Sequence, residues 1–269
     1  MEIITFDLPM EAYPDQRKRT IRVLLPKSYD GKKRFPVLYM HDGQNLFDDE
    51  LSSSGVTLGK WNINHEMKGL EEEGFPAIIV GIDNGPERFS ELCPDLPVNQ
   101  DMVSMFGLPS GIKPTGHLYG KFITAQLKPF IDDNYMTLPD LLNTAVGGAS
   151  MGGLISLDIL LRYPGVYSKA MVFAPYFMAH TKNDIMGSLL SYDFARLKDS
   201  RIFIFHGGLD IDASTWPYAQ LVFEVMRDKG LNEEQLALVY DSRQPHHETA
   251  WQKYFGEAFR YLFRRGLPC

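Results

Sequence analysis

The chain has 269 residues, of which 44% are hydrophobic and 23% charged, and a formal net charge of −7. That is an ordinary globular composition, and with no long Lys/Arg block (Arg17-Lys18-Arg19 is too short for the role) nucleic acid is not expected as a partner. No apolar stretch approaches the ~18 residues of a membrane span, the N-terminus MEIITFDLPMEAYPDQ lacks the basic and long apolar regions of a signal peptide, and Cys93 and Cys269 alone make no disulfide framework, so a soluble, cytoplasmic protein is expected.

In chain order, TIRVLLP (20–26) alternates and is expected to pair antiparallel at the start of a sheet. PVLYM (36–40), AIIVGI (77–82), KAMVFA (169–174) and RIFIF (201–205) are near-continuous apolar runs, as in parallel strands covered on both faces. NTAVGG (143–148) and LALVYD (236–241) follow the same pattern more weakly. Between them lie helical stripes: Phe122, Leu127, Phe130 and Ile131; Leu154, Leu157, Ile159 and Leu160; Leu221, Val222, Val225 and Met226; and Trp251, Phe255, Ala258, Phe259 and Leu262. Strands alternating with helices imply right-handed crossovers and a mostly parallel central sheet flanked by helices, a three-layer αβα sandwich. No repeat or low-complexity linker divides the chain, so residues 1–269 are read as one domain.

Two segments break the rhythm. Residues 83–117 are dense in Pro and Gly, and residues 175–199 interrupt the strand–helix order. Long irregular loops are usually functional. Both follow strands, and ligands of open α/β sheets sit beyond the carboxyl ends of the strands. Met102, Met105, Phe106, Tyr176, Phe177 and Trp216 are the candidate pocket walls, suited to a flat aromatic or sugar-sized ligand.

The motif that carries chemistry is VGGASMGG (146–153). Gly148-Ala149-Ser150-Met151-Gly152 fits G-x-S-x-G between a strand and a helix, the nucleophile elbow. Its sharp turn would raise the Ser150 hydroxyl above the sheet, and bulk two residues to either side would collide with strand and helix. A phosphate-binding loop would need Gly-Lys-Ser/Thr, which is absent.

A serine hydroxyl needs a base, and the base an orienting acid. With this elbow the chain order is Ser, then Asp or Glu, then His. His180 and His206 come too early for an acid to intervene. His246 and His247 lie in RQPHHETAW, after the last strand and before the last helix, and spacing alone leaves the choice between them open. For the acid, RIFIFHGGLDID offers Asp210 directly after a strand and Asp212 two residues on; Asp210 is favoured.

Taken together, YMHDGQNLFDD (39–49), IVGIDNGPERFSEL (79–92), VGGASMGG, VFAP (172–175), HGGLD (206–210) and HHETAW (246–251) resemble the putative-esterase family. That family includes enterochelin esterases, feruloyl and acetyl-xylan esterases of carbohydrate esterase family 1, and mycolyl transferases. The resemblance implies an α/β-hydrolase fold and a serine carboxylic ester hydrolase. It implies Ser150 as nucleophile, Asp210 as acid and His246, rather than His247, as base, with Trp251 and Glu248 in the same element. The backbone amides of Gln44 and Met151 become the oxyanion donors, with no metal or cofactor. Gly208 stands where the family usually has Thr, a change expected to loosen the acid loop. Arg88 and Glu91 match a recurrent R-x-x-E element, read as an internal ion pair. Feruloyl or acetylated-sugar esters are the expected substrates, with a siderophore esterase or an acyltransferase as alternatives; the oligomeric state is left open.

Overall fold

An eight-stranded sheet runs through the molecule, in a computed structural model whose described residues are 1–47, 60–105 and 111–264. The strands are β1 (Glu2–Pro9), β2 (Lys18–Leu25), β3 (Val37–His41), β4 (Ile78–Ile82), β5 (Thr144–Ala149), β6 (Lys169–Phe173), β7 (Arg201–Gly207) and β8 (Leu236–Asp241). Their spatial order is β1-β2-β4-β3-β5-β6-β7-β8. β1 pairs antiparallel with β2, and β2 antiparallel with β4; every other pairing is parallel. This is the α/β-hydrolase arrangement. The seven runs expected from the sequence are all strands.

β1 was not expected. Its sequence EIITFDLP carries two acids and a proline, and no residue in it is fully buried. Such a strand at the sheet edge lacks the apolar continuity that marks a central one.

The pleat sends alternate residues to opposite faces. Tyr39, Val80, Val146, Val172 and Ile204 point to one side and join a core built with the helices of residues 116–228. Leu38, Ile79, Ala145, Met171 and Phe203 point to the other. In chain order the helices are α1 (Ile63–Glu72), α2 (Arg88–Glu91), α3 (Gln100–Met105), α4 (Gly116–Phe122), α5 (Lys128–Asn134), α6 (Met151–Arg162), α7 (Lys182–Ser191), α8 (Asp212–Asp228) and α9 (Glu248–Phe263). α4 and α5 form one rod joined by a π-helical turn at Ile123–Leu127. α1 and α9 cover the second face, where Ile63, Met67, Leu70, Phe255, Phe259 and Leu262 are buried. No helix among the described residues is long and apolar enough to cross a membrane.

α6 begins directly behind β5, and its first seven residues, Met151–Leu157, are all buried. It is the central helix of its layer, so any strain in the turn that launches it is opposed by a large packing area.

Three histidines are buried in this framework: His41 at the end of β3, His180, and His206 in β7. Burial lowers the His41 imidazole from 6.5 to about 4, and lowers His180 and His206 in the same direction. A histidine kept neutral by folding binds its proton more readily when unfolded, so stability is present above the unfolded value and is lost as pH falls toward the folded one. From His41 alone the loss between pH 7.5 and 5 is about 2 kcal/mol. Urea midpoints measured across that window are expected to fall toward pH 5; a flat profile contradicts the burial of neutral imidazoles.

Candidate active site

The turn from β5 to α6 places Ser150 at the carboxyl end of a central strand with φ 58° and ψ −122°. For a residue other than glycine this backbone is strained. It is pinned on both sides: Ser150 N donates to Phe173 O at 2.9 Å, and Tyr176 N donates to Ser150 O at 3.1 Å. The flanking glycines are required by close approach. A Cβ on Gly148 would lie 3.0 Å from the Gly152 carbonyl carbon and 3.1 Å from the His41 ring, and one on Gly153 would lie 2.7 Å from Phe173 O. At Gly152 the corresponding contact is 3.3 Å, to His41 Cβ. His41 fills the space under the elbow, its Nδ1 2.9 Å from the buried Tyr119 hydroxyl.

A paired histidine and carboxylate come from the turns after β8 and β7. His246 Nδ1 is 2.6 Å from Asp212 Oδ1. Asp212 is fully buried, and its other oxygen accepts from Gly207 N at 3.1 Å. Trp251 meets the His246 ring edge-on, at 5.1 Å between centroids and 89°. His247 instead caps α9, its Nδ1 accepting from Thr249 N at 3.2 Å.

The sequence favours Asp210 as the carboxylate partner of the histidine, whereas the side chain that His246 meets is Asp212. Asp210 occupies the left-handed position of the turn before α8, at φ 53°, with an exposed side chain. Short polar side chains tolerate that conformation. The turn uses up residues 209–211, so the first carboxylate able to face back toward β7 is the one that starts the helix. Nor is the acid loop loose at Gly208. A Cβ there would lie 2.6 Å from Ser242 Cα and 2.7 Å from Tyr240 Oη, and Gly208 N donates to Gln244 O at 3.1 Å. A threonine does not fit this arrangement.

Across the elbow, Gly43–Asn45 forms a single 3₁₀ turn after Asp42, which sits at φ 58°. The Gln44 side chain accepts from Asn84 N at 3.0 Å, and Asn84 Nδ2 donates to Asp42 at 2.5 Å. Arg88 grips Asp42 with two bonds of 2.6 and 2.8 Å. Burial alone raises the Asp42 carboxyl, but Arg88 and Asn84 outweigh it and hold the group below its ordinary value. The expected Arg88–Glu91 pair does not form. Glu91 binds Arg19 instead, at 2.8 and 2.7 Å, and Arg17 at 3.0 Å. The R-x-x-E element thus ties the loop after β4 to two different neighbours.

Ser150 and His246 line one cavity of about 290 Å³, together with Phe89, Met102, Met151, Tyr176 and Ile211. No hydrogen bond joins the serine to the histidine among the described residues. Of the expected wall residues, Met102 and Tyr176 are in place. Phe177 lines a separate apolar pocket, and Trp216 stacks on Tyr240 at 4.0 Å. Phe106 and the Met105 side chain lie outside the described residues. Phe89 and Ile211 were not anticipated; each follows a motif residue, Arg88 or Asp210, by one position, which is their only sequence signal. Among the described residues, no group of three or more His, Cys, Asp or Glu could hold a metal ion.

This fold, with a serine on a strained elbow and a histidine–carboxylate pair over the same cavity, defines the α/β-hydrolase class. Residues 14–262 match the Esterase family, described as putative esterase; the chain belongs to that family and is a carboxylic ester hydrolase. It is similar to the uncharacterized protein YbbA of Bacillus subtilis (strain 168), with 26% identity over 256 residues, 91% of this chain and 92% of that protein. Among solved structures it resembles a ferulic acid esterase, with TM-score 0.71, 19% identity and 98% of both chains covered. It also resembles an IroE-like serine hydrolase from Shewanella oneidensis, with TM-score 0.76, 17% identity, and 98% of this chain and 80% of that one covered.

The tight fit at Gly208 leads to a prediction. Gly208→Thr forces the Ser242 backbone away and shifts the loop before His246, so a stability loss of ~1–3 kcal/mol and a fall in kcat are expected. Thermal unfolding and ester-hydrolysis rates check this; an unchanged Tm means the loop yields freely.

Proposed function

We propose that Ser150, His246 and Asp212 are the catalytic triad and that the substrates are small, uncharged phenolic or sugar esters. The observation that carries the triad is the 2.6 Å bond from a fully buried Asp212 to a His246 that shares its cavity with the elbow serine. Asp212 fixes the tautomer with the proton on Nδ1, leaving Nε2 free to act as base.

In the first step Nε2 takes the Ser150 proton as Oγ attacks the ester carbonyl carbon. The carbonyl π electrons move onto oxygen. The amides of Met151 and Gln44 are early N–H groups of α6 and of the 3₁₀ turn, positions that lack intrahelical acceptors. They stabilise the oxyanion, each by about 3 kcal/mol. Collapse of the tetrahedral species breaks the bond to the leaving alkoxy oxygen, which takes the proton from Nε2 and departs as the alcohol. Water, deprotonated by the same nitrogen, then attacks the acyl-enzyme, and the acid leaves as Ser150 is regenerated.

The cavity walls support the substrate reading. Phe89, Met102, Met151, Tyr176 and Ile211 form an apolar surface, with no lysine or arginine among the described lining residues. Such a wall favours a flat phenolic acyl group or a sugar face over a strongly anionic siderophore ester.

Two comparisons test the triad. Asp212→Asn is expected to lower kcat by ~10³–10⁴-fold, whereas Asp210→Asn leaves it within a few-fold; the reverse order returns the acid role to Asp210. Ser150→Ala is expected to lose at least ~10³-fold in kcat and all labelling by an organophosphonate. For the substrate, kcat/KM is measured on methyl ferulate, acetylated xylo-oligosaccharide, p-nitrophenyl acetate and enterobactin. The first two are expected to lead, and a preference for enterobactin refutes the uncharged-ester assignment.

A further inference from the structure

At the opposite end of the sheet, where the parallel strands begin, lies a second cleft of about 460 Å³. β6 and β7 start there with Lys169 and Arg201, and Lys198 and Arg264 complete a set of four cations on its walls. The acids on the same walls are Asp199 and Glu234. Glu234 is engaged, pairing with Arg264 at 3.1 Å, and Asp199 is exposed. Asp140, the other acid acting on Lys169, is occupied in accepting from Leu142 N and Asn143.

Positive charge therefore exceeds negative in a partly closed space. Lys169 is only 6% exposed, yet among the described residues it forms no ion pair. Its Nζ donates to Leu142 O and to Ser168 Oγ. Arg201 likewise donates to the carbonyls of Leu262 and Arg264 rather than to a carboxylate. Arg264 Nε is buried without a hydrogen-bond partner among the described residues. Burial and then the neighbouring Arg201 lower the Lys169 ammonium to about 8, and burial and then Arg264 lower Arg201. In both, burial is the larger cause and the neighbouring cation adds to it, with too little compensating charge. A buried ammonium without a carboxylate is costly to fold, and a second guanidinium beside it adds to the cost. An anion in the cleft relieves Lys169 and Arg201 together.

We propose that this cleft binds the phosphate group of a small soluble ligand, with Lys169 and Arg201 at the floor and Lys198 and Arg264 at the sides. The planar guanidinium groups suit phosphate oxygens, and the ammonium adds point charge. Leu142 and Phe263 line the same cleft and offer the rest of the ligand an apolar contact. β6, five residues long, spans roughly 15 Å between this end and the elbow end. Binding is thus separate from ester hydrolysis and does not rest on the triad assignment.

The test is a titration with inorganic phosphate at constant ionic strength, chloride replacing phosphate, read by isothermal calorimetry and thermal shift. Saturable binding and a rise in Tm are expected, weakening as total salt screens the charges. Arg201→Gln is expected to weaken binding at least ~tenfold. Because Arg201 also holds two backbone carbonyls, the exposed Lys198→Gln serves as the second variant; it should fold normally and bind several-fold more weakly. Hydrolysis of p-nitrophenyl acetate by Lys198→Gln should equal that of the parent. Phosphatidylglycerol vesicles form the second arm and are expected not to bind. Failure to respond to phosphate beyond chloride, equal binding by Lys198→Gln, or binding to vesicles without binding to phosphate each overturns the proposal.

Discussion

The structure around Ser150 depends on two stretches of backbone touching with no side chain between them. β5 ends and α6 begins within one residue, and the turn closes because Gly148 and Gly153 present only hydrogen toward Gly152 and toward β6. A non-glycine residue held at positive φ costs about 1–3 kcal/mol. At Ser150 that cost is offset by the buried first half of α6 and by the two backbone bonds to residues 173 and 176. If the contact opens, the hydroxyl sinks and the helix loses its aim. The rest of the site is arranged around a closed contact: His41 and Asp42, which leads into the 3₁₀ turn, both pack close to Gly152.

Much of this was legible in the chain. Strands buried on both faces write themselves as apolar runs, and the elbow as a serine among glycines, because both are local demands on side-chain size and polarity. The edge strand β1 was not legible: half-exposed and acidic, it looks like a loop until β2 is there to pair with it. The histidine pair shows the same limit. His246 and His247 are adjacent and chemically identical, and what separates them is that one caps a helix while the other meets a carboxylate.

The carboxylate beside His246 shows how far local reading reaches. Asp210 and Asp212 both follow the strand. Which one faces the histidine is decided by the hand of a tight turn, and that hand is set by Gly207 and Gly208 pressing against Gln244 and Ser242, about thirty-five positions downstream in the chain. Arg88 is a parallel case. Three residues from Glu91 in a helical turn, it looks made for that partner, yet the buried Arg19 claims the glutamate and leaves Arg88 for Asp42. In both cases a long-range contact overrides the nearest sequence neighbour.

Part of the cavity wall comes from segments that carry none of Ser150, Asp212 and His246, while Met151 and Ile211 adjoin them in sequence. Ser150, Asp212 and His246 sit on the turns after β5, β7 and β8, while Phe89 and Met102 come from the segment between β4 and β5, and Tyr176 from the one after β6. Insertions, deletions or exchanges in those two segments can remodel the shape offered to an acyl group while the hydrogen-bonded pair stays in register. Such a separation lets the two loop segments set the breadth of the cavity without disturbing the paired histidine and carboxylate.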